Sequence, residues 1–237
     1  MDSRKVPSII RNNTFSEDKL VETDSGLMVP AYVGSQMGFN VPGRQFLQRF
    51  YQQLSQISIL ALCPFQACEE FLNQAVFDER LPVEENKRLW GEFNQSIGEV
   101  NYGCLMPHSK IMIALYDGSH GVDDGLSSEV AYFASVHGPV FGIRSDFRLG
   151  ENPATNVNAA VTFFNKNGKY KGDYFNGPEA YNLAIESLES VTSQLIKNAI
   201  KRREIALPGF EPGSQAPKAR RLDRYPTGLY HNLNLKY

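Results

Sequence analysis

The sequence predicts an α/β domain, a doubly wound, flavodoxin-like sheet of five parallel strands flanked by helices. Three observations carry this. Short apolar segments alternate with amphipathic, helix-length ones from residue 27 to residue 205, the pattern of strand–helix–strand units joined by right-handed crossovers. One segment, Ile111-Met112-Ile113-Ala114-Leu115, is apolar without a break, which suits a central parallel strand covered on both faces. Glycine or proline marks the joins at Gly34, Pro42-Gly43, Cys63-Pro64, Gly118 and Gly138-Pro139, where turns and helix ends call for them.

Residues 1–26 are mostly polar and carry no sustained apolar period, so a flexible extension is expected there. Leu27 to Gly34 reads as the first strand. Phe46, Leu47, Phe50 and Leu54 recur at helical spacing after Pro42-Gly43. Ile57 to Leu62 is the second strand, Phe65 to Val76 a helix, and Val83 to about Tyr102 a longer one. Lys110 to Tyr116 forms the third strand. A helix from Gly125 stops before Gly138-Pro139, Val140 to Ile143 is the fourth strand, and Ala160 to Phe164 the fifth. Pro178 to Arg203 is a long amphipathic helix with Tyr181, Ala184, Ile185, Leu188 and Val191 on one side. From Ala206, prolines and glycines mix with Arg220-Arg221, a composition that packs poorly and reads as a loose tail. The expected organisation is an extension over 1–26, one domain over 27–205 and a tail over 206–237, with no internal repeat.

Composition removes several classes of function. A net charge of −2 offers no electrostatic footprint for a nucleic-acid polymer or a membrane surface. No apolar run approaches the roughly 20 residues that span a bilayer, and the polar start holds no signal-peptide core, so a cytoplasmic protein is expected. Cys63, Cys68 and Cys104 are odd in number and lack CxxC spacing, which favours buried or idle thiols over a disulfide framework or zinc site. His108, His120 and His137 are scattered near turns, with no HExxH pattern. No metal site is expected.

The chemistry gathers where the third strand meets the next helix. Asp117-Gly118, Asp123-Asp124-Gly125 and Glu129 place four acids and two glycines around that junction, and ligands of open α/β sheets bind at the carboxyl ends of strands. The same residues have two readings. In one, Asp123 or Asp124 caps the helix, Glu129 suits the positive end of its dipole, and Asp117 shapes a turn. In the other, one carboxylate attacks an anomeric carbon to form a glycosyl-enzyme, and a second, protonated, helps the departing group leave. Glu129 as nucleophile and Asp123 as acid or base-orienting residue fit the second reading.

Several segments resemble the nucleoside 2-deoxyribosyltransferase family, in the family's order. They are Tyr32-Val33-Gly34 with Gly38-Phe39, then Ile97-Gly98 with Asn101, then Ala114-Leu115-Tyr116-Asp117-Gly118. Asp123-x-Gly125-x-x-x-Glu129, Gly142-Ile143-Arg144-Ser145-Asp146-Phe147-Arg148 and Val157-Asn158 follow. The resemblance covers residues 28–165. It implies a retaining base exchange in which Glu129 carries the deoxyribosyl group, Asp123 binds or protonates the substrate, and Tyr32 and Gly34 line the sugar and nucleophile. It also implies that Asn158 reaches the sugar 5′-hydroxyl across a subunit boundary. The family's enzymes are homo-oligomers that need no metal or organic cofactor, so the expected partners are a nucleoside or nucleotide and a free base.

Each remaining site residue has a plain reading beside the functional one. Phe39 stacks on a base or covers a helix. Tyr32 lines the site or packs as a strand aromatic. Asp117 and Ser128 contact substrate, or serve a turn and a solvated helix face; Ser127 shares the serine alternatives. Asn158 shares a polar loop with Asn152 and Asn156. Arg144, Asp146 and Arg148 read as an ion-pair network shaping their loop. The chain departs from the family at Lys110, which stands where an aspartate is common, and at Leu126, Ser127-Ser128 and Val130-Ala131-Tyr132. Lys110 with the serines motivates a second reading, a nucleoside 5′-monophosphate N-glycoside hydrolase. Lys110 alone motivates a third, a catalytically inactive nucleotide-binding protein.

Overall fold

Strand β5 (Ile111–Leu115) is buried at every position, and the rest of the fold is arranged around it. In the computed structural model of the chain, which describes residues 6–24, 26–70, 80–118, 122–146 and 157–206, a short hairpin precedes five parallel strands. The hairpin is β1 (Thr14–Phe15) and β2 (Val21–Thr23), and the parallel strands are β3 (Gly26–Ser35), β4 (Ile59–Leu62), β5, β6 (Val140–Arg144) and β7 (Asp173–Asn176). The five run in the order β4-β3-β5-β6-β7, the doubly wound order expected from the sequence. Register is set by pairs such as Gly34 with Ala114, Ala114 with Gly142, and Ile143 with Phe175. β2 runs antiparallel to the start of β3, so the whole sheet is mixed and mostly parallel.

The period-two alternation of strands splits the interior into two cores. Val29, Ala31, Val33, Ile111, Ile113 and Leu115 point to one face and pack against α2 (Val41–Gln56) and α8 (Ala180–Ala206) through Leu47, Phe50, Leu54, Ala184 and Leu188. Tyr32, Met112, Ala114 and Tyr116 point to the other, against α6 (Asp124–Val136) and α7 (Ala159–Asn167) through Leu126, Val130, Phe133 and Val161. Along β3, residue parity alone therefore aims Tyr32 at the α6 side.

Two expectations are corrected. Ala160–Phe164 is not a strand but part of α7, which Asn158 caps by accepting from the Ala160 amide at 2.8 Å. Its inward residues Val161 and Asn165 are buried at helical spacing. The fifth parallel strand is β7, half-buried at the sheet's edge, where no continuous apolar run is required. The expected flexible extension over 1–26 contains α1 (Ser8–Arg11) and the hairpin β1–β2, with Leu20 and Val21 buried. Lys19 takes a left-handed φ of 58° in the hairpin turn. Arg202 and Arg203 at the end of α8 pair with Asp18 and Glu22 at 2.7 and 2.6 Å, fastening the hairpin to the last helix.

The remaining helices are α3 (Pro64–Glu69), α4 (Val83–Val100) and α5 (Met106–His108), with a π-helical turn over Asn101–Leu105 between the last two. The distal part of the helix expected to Val76, and the tail over 207–237, lie outside the described residues, as do His120, Phe147, Arg148, Asn152 and Asn156. The three cysteines are free and buried, as expected, and the Tyr51 hydroxyl donates to Cys63 Sγ at 3.1 Å. Among the described residues no helix is long and apolar enough to cross a membrane.

Candidate functional site

The strand order reverses between β3 and β5, and the crevice at their carboxyl ends is where a doubly wound sheet receives its ligand. Gly34, one residue from the end of β3, lies in that crevice. Its missing side chain lets α6 come close. A Cβ at position 34 would stand 2.6 Å from Leu126 Cδ1, 3.1 Å from Met112 Cε and 3.2 Å from Glu129 Oε2. Glu129 thus sits directly over the bare backbone of the strand end.

Glu129 reaches this place because α6 buries Leu126, Val130 and Phe133 against the sheet, which leaves position 129 at the edge of the packed stripe. The first turn is fixed by Asp123, whose Oδ2 accepts from the Leu126 amide at 3.0 Å; the side chain itself is exposed. So Asp123 is a cap, and it is also the acid whose charge acts on Glu129. The capping reading of that residue is thus seen directly in the geometry.

Two buried polar groups address the Glu129 carboxylate. Asn101 Nδ2 donates to Oε1 at 3.1 Å. Tyr32, fully buried, presses its hydroxyl toward the same carboxylate, yet makes no well-aligned hydrogen bond to any described group. No described lysine or arginine pairs with Glu129. Burial is the dominant influence and pushes the acid up to about 7; Tyr32 and Asn101 pull it down and Asp123 pushes it up further. The Tyr32 phenol is raised well above its usual range, by burial first and then by the neighbouring Glu129 charge. A carboxyl balanced between its two protonation states near neutrality, beside held hydroxyl and amide donors, is equipped to attack an electrophilic carbon once ionised.

Asn101, named in the sequence only as part of the resemblance, is given no role there. It ends α4 and opens the π-helical turn, a local widening often found at functional sites, and it is 4% exposed. Its Oδ1 is buried with no partner among the described residues. A polar residue following the amphipathic period of α4, where another apolar one would continue the core, was the available signal.

Asp117 takes a different part from the one expected. It is 8% exposed and its oxygens accept from Ser145 N, Ser145 Oγ, Asp146 N and Tyr181 Oη at 2.8–3.0 Å. Those donors fill its acceptor sites, so the carboxylate staples the ends of β5 and β6 to α8. Gly118, at φ +118°, turns the chain immediately afterwards. Arg144, fully buried, donates from Nη1 to Tyr116 O at 2.9 Å.

The other expected residues lie at varied places in the fold. Phe39 is 75% exposed in the 3₁₀ turn after β3, its ring edge-on to Phe65 at 5.0 Å, so it is a rim aromatic and not a core one. Ser128 is exposed; its Oγ donates to Gly125 O at 2.8 Å and meets Tyr102 Oη at 3.2 Å. Tyr102 in turn packs edge-on to Tyr132 at 5.1 Å. Asn158 caps α7 from an exposed position. Lys110 lies at the opposite end of the sheet. Its amide donates to Pro30 O, four residues and about 13 Å of strand from Gly34, and it lines a hollow with Asp18, Leu20 and Arg202. No cluster of three histidine, cysteine or acidic side chains suited to a metal occurs among the described residues.

In overall shape the chain is similar to a conserved protein from Enterococcus faecalis V583, at 17% identity and a TM-score of 0.44, over 68% of this chain and 98% of that one. It is also similar to a 2-deoxyribosyltransferase from Leishmania mexicana, at 14% identity and a TM-score of 0.36, over 67% of this chain and 97% of that one. No family model and no curated protein matches the sequence.

Proposed function

We propose that the chain is a nucleoside 2-deoxyribosyltransferase-like enzyme that cleaves and re-forms the N-glycosidic bond of nucleosides through a covalent glycosyl-Glu129 intermediate. The observation that carries this reading is the Glu129 carboxyl itself, half-buried over Gly34 at the reversal of strand order, held by Asn101 and faced by Tyr32. The resemblance of residues 28–165 to that family, read from the sequence, supports the same assignment.

In the forward step Glu129 Oε2 attacks the anomeric carbon, the carbon–nitrogen bond breaks, and the base leaves with the bonding pair. Asp123, beside the open mouth of α6, supplies or orients the proton that the departing base takes up at a ring nitrogen. A second base then attacks the glycosyl ester from the same side, its proton returns to Asp123, and the carboxylate is released. The exchange retains configuration and is neutral in protons. Phe39 offers its exposed ring as a stacking surface for the base, and the enzyme works as a homo-oligomer in the cytoplasm.

The features that motivated a monophosphate hydrolase or an inactive nucleotide binder do not gather at this site. Lys110 is at the far end of the sheet, Ser128 is turned to Gly125 and Tyr102, and the free amides of α6 already receive an anion, Asp123. A phosphate there would meet like charge.

The test is incubation of the purified protein with a 2′-deoxynucleoside and a second free base, with products separated by chromatography. New deoxynucleoside is expected, and its formation should fall at least about a thousandfold in Glu129→Ala. Neither exchange nor hydrolysis across a broad panel of nucleosides would sink the proposal.

A further inference from the structure

Asn101 holds an asymmetric position. One end of its amide is committed, Nδ2 to Glu129 Oε1 at 3.1 Å. The other end, Oδ1, is buried and has no partner among the described residues, in a side chain 96% removed from solvent. Buried acceptors without a partner are rare in folded chains, and each one calls for a reason. The backbone around it is helical on both sides: Asn101 ends α4, its amide still donating to the Ile97 and Gly98 carbonyls, and the π-helical turn begins there.

We infer that Asn101 is a two-handed residue of the site, its amide N–H fixing Glu129 Oε1 so that Oε2 faces the ligand, and its amide oxygen accepting a hydroxyl or N–H of the bound ligand. This goes beyond the proposed function in assigning a polar contact to the ligand, and it rests on that reading only for the ligand's chemistry. The division is chemically sensible. A donor on Oε1 favours the ionised carboxylate and directs the attacking lone pair to the other oxygen, the one 3.2 Å from the space above Gly34. An acceptor alongside can receive a sugar hydroxyl or a base N–H without competing for Oε2. The charged and titratable groups facing Glu129 are Tyr32 from β3 and Asp123 from the N-terminus of α6; its charge is also felt at Cys68 on α3. Of these only Tyr32 can also donate to the carboxylate, and its hydroxyl makes no well-aligned hydrogen bond to any described group, so the N–H of Asn101 is the donor seated on Oε1.

The two hands are tested separately in the full chain. The ionisation of Glu129 is followed by carboxyl carbon NMR in wild type, Asn101→Leu and Asn101→Asp. Loss of the donor should raise the midpoint by about one unit or more, because a hydrogen bond to the charged form is lost; the aspartate variant, which adds a like charge, should raise it further. A midpoint unchanged in both variants overturns the donor role, and this result does not depend on any enzymatic activity. The acceptor role is tested by calorimetric binding of 2′-deoxyinosine and of free hypoxanthine. Asn101→Leu should weaken one or both by roughly three- to tenfold, and Asn101→Asp, which keeps an acceptor, should weaken them less. Loss confined to the nucleoside assigns the contact to a sugar hydroxyl, and equal loss on both assigns it to the base. Loss on neither overturns the acceptor role. If the wild type binds neither ligand, the nucleoside reading and the acceptor role fall together while the titration still judges the donor role.

Discussion

Replacing Gly34 by alanine separates the stability of the fold from the chemistry at its surface. The backbone there lies outside the left-handed region, so alanine meets no conformational penalty. The new methyl would stand 2.6 Å from Leu126 Cδ1 and 3.1 Å from Met112 Cε, both at the ends of side chains able to shift. Overpacking of this kind costs about 1–3 kcal/mol, which for a chain of this size lowers the melting temperature by roughly 2–10 °C. The same methyl would lie 3.2 Å from Glu129 Oε2, the separation a carbon under attack must itself occupy, roughly 3–3.5 Å. The variant should therefore fold with a modest loss of melting temperature, measured by circular dichroism. Its kcat for base exchange, measured by chromatography, should fall at least about a hundredfold, as misplacement by about 1 Å near the reacting atoms can do. A folded Gly34→Ala with kcat near wild type would refute the placement of substrate over Gly34.

Because Glu129 is raised in the folded state to about 7, the fold binds a proton there that the unfolded chain, with an ordinary carboxyl, gives up at lower pH. The stability this contributes is complete below the unfolded value near 4.5 and is lost as pH rises through about 7. Wild type should therefore lose about 2–3 kcal/mol relative to Glu129→Gln between pH 4.5 and pH 8, read by denaturant titration at each pH; parallel curves would contradict it. In the same window exchange should speed up as the nucleophile ionises, with a kcat profile rising through neutrality. Asp123→Asn keeps a good cap but removes the acid, so its stability should stay within about 0.5 kcal/mol of wild type while turnover drops; unchanged turnover would reduce Asp123 to a cap. Tyr181→Phe deletes one of the donors to Asp117 and should cost about 1.5–3 kcal/mol without altering the exchange rate per folded molecule, measured by denaturant titration and active-site assay.

What could be read from the sequence was whatever one element decides by itself. The unbroken apolar run of β5 announced a central strand, the Asp123 cap and the Gly138-Pro139 stop bounded α6, and the carboxyl-end rule for open sheets pointed to Glu129 and Gly34. What escaped depended on partners distant in sequence. Ala160–Phe164 is short and apolar, compatible with either periodicity until Asn158 and the sheet edge decide for a helix. Val21 and Leu20 form no pattern, and their burial depends on β3 and on the far end of α8. Asp117 and Lys110 show the limit most clearly. One looked like a ligand contact until the donors from β6 and α8 were visible, and the other looked like a missing acid until the register placed it at the wrong end of its strand. Asn101 required both kinds of information, since its contact with Glu129 joins the end of α4 to α6 across 28 residues.

The Asp117 staple has a consequence for how freely the sheet end and the site beside it could change apart. The chain leaves β5 just after Asp117 and leaves β6 just after Ser145 and Asp146, so the segments that follow both strands set out from one shared, immobile root. The hydrogen bonds of that root involve neither Gly34 nor the carboxylate above it. The staple thus keeps the anchoring of the sheet end separate from the carboxyl over Gly34, so that one could change without the other.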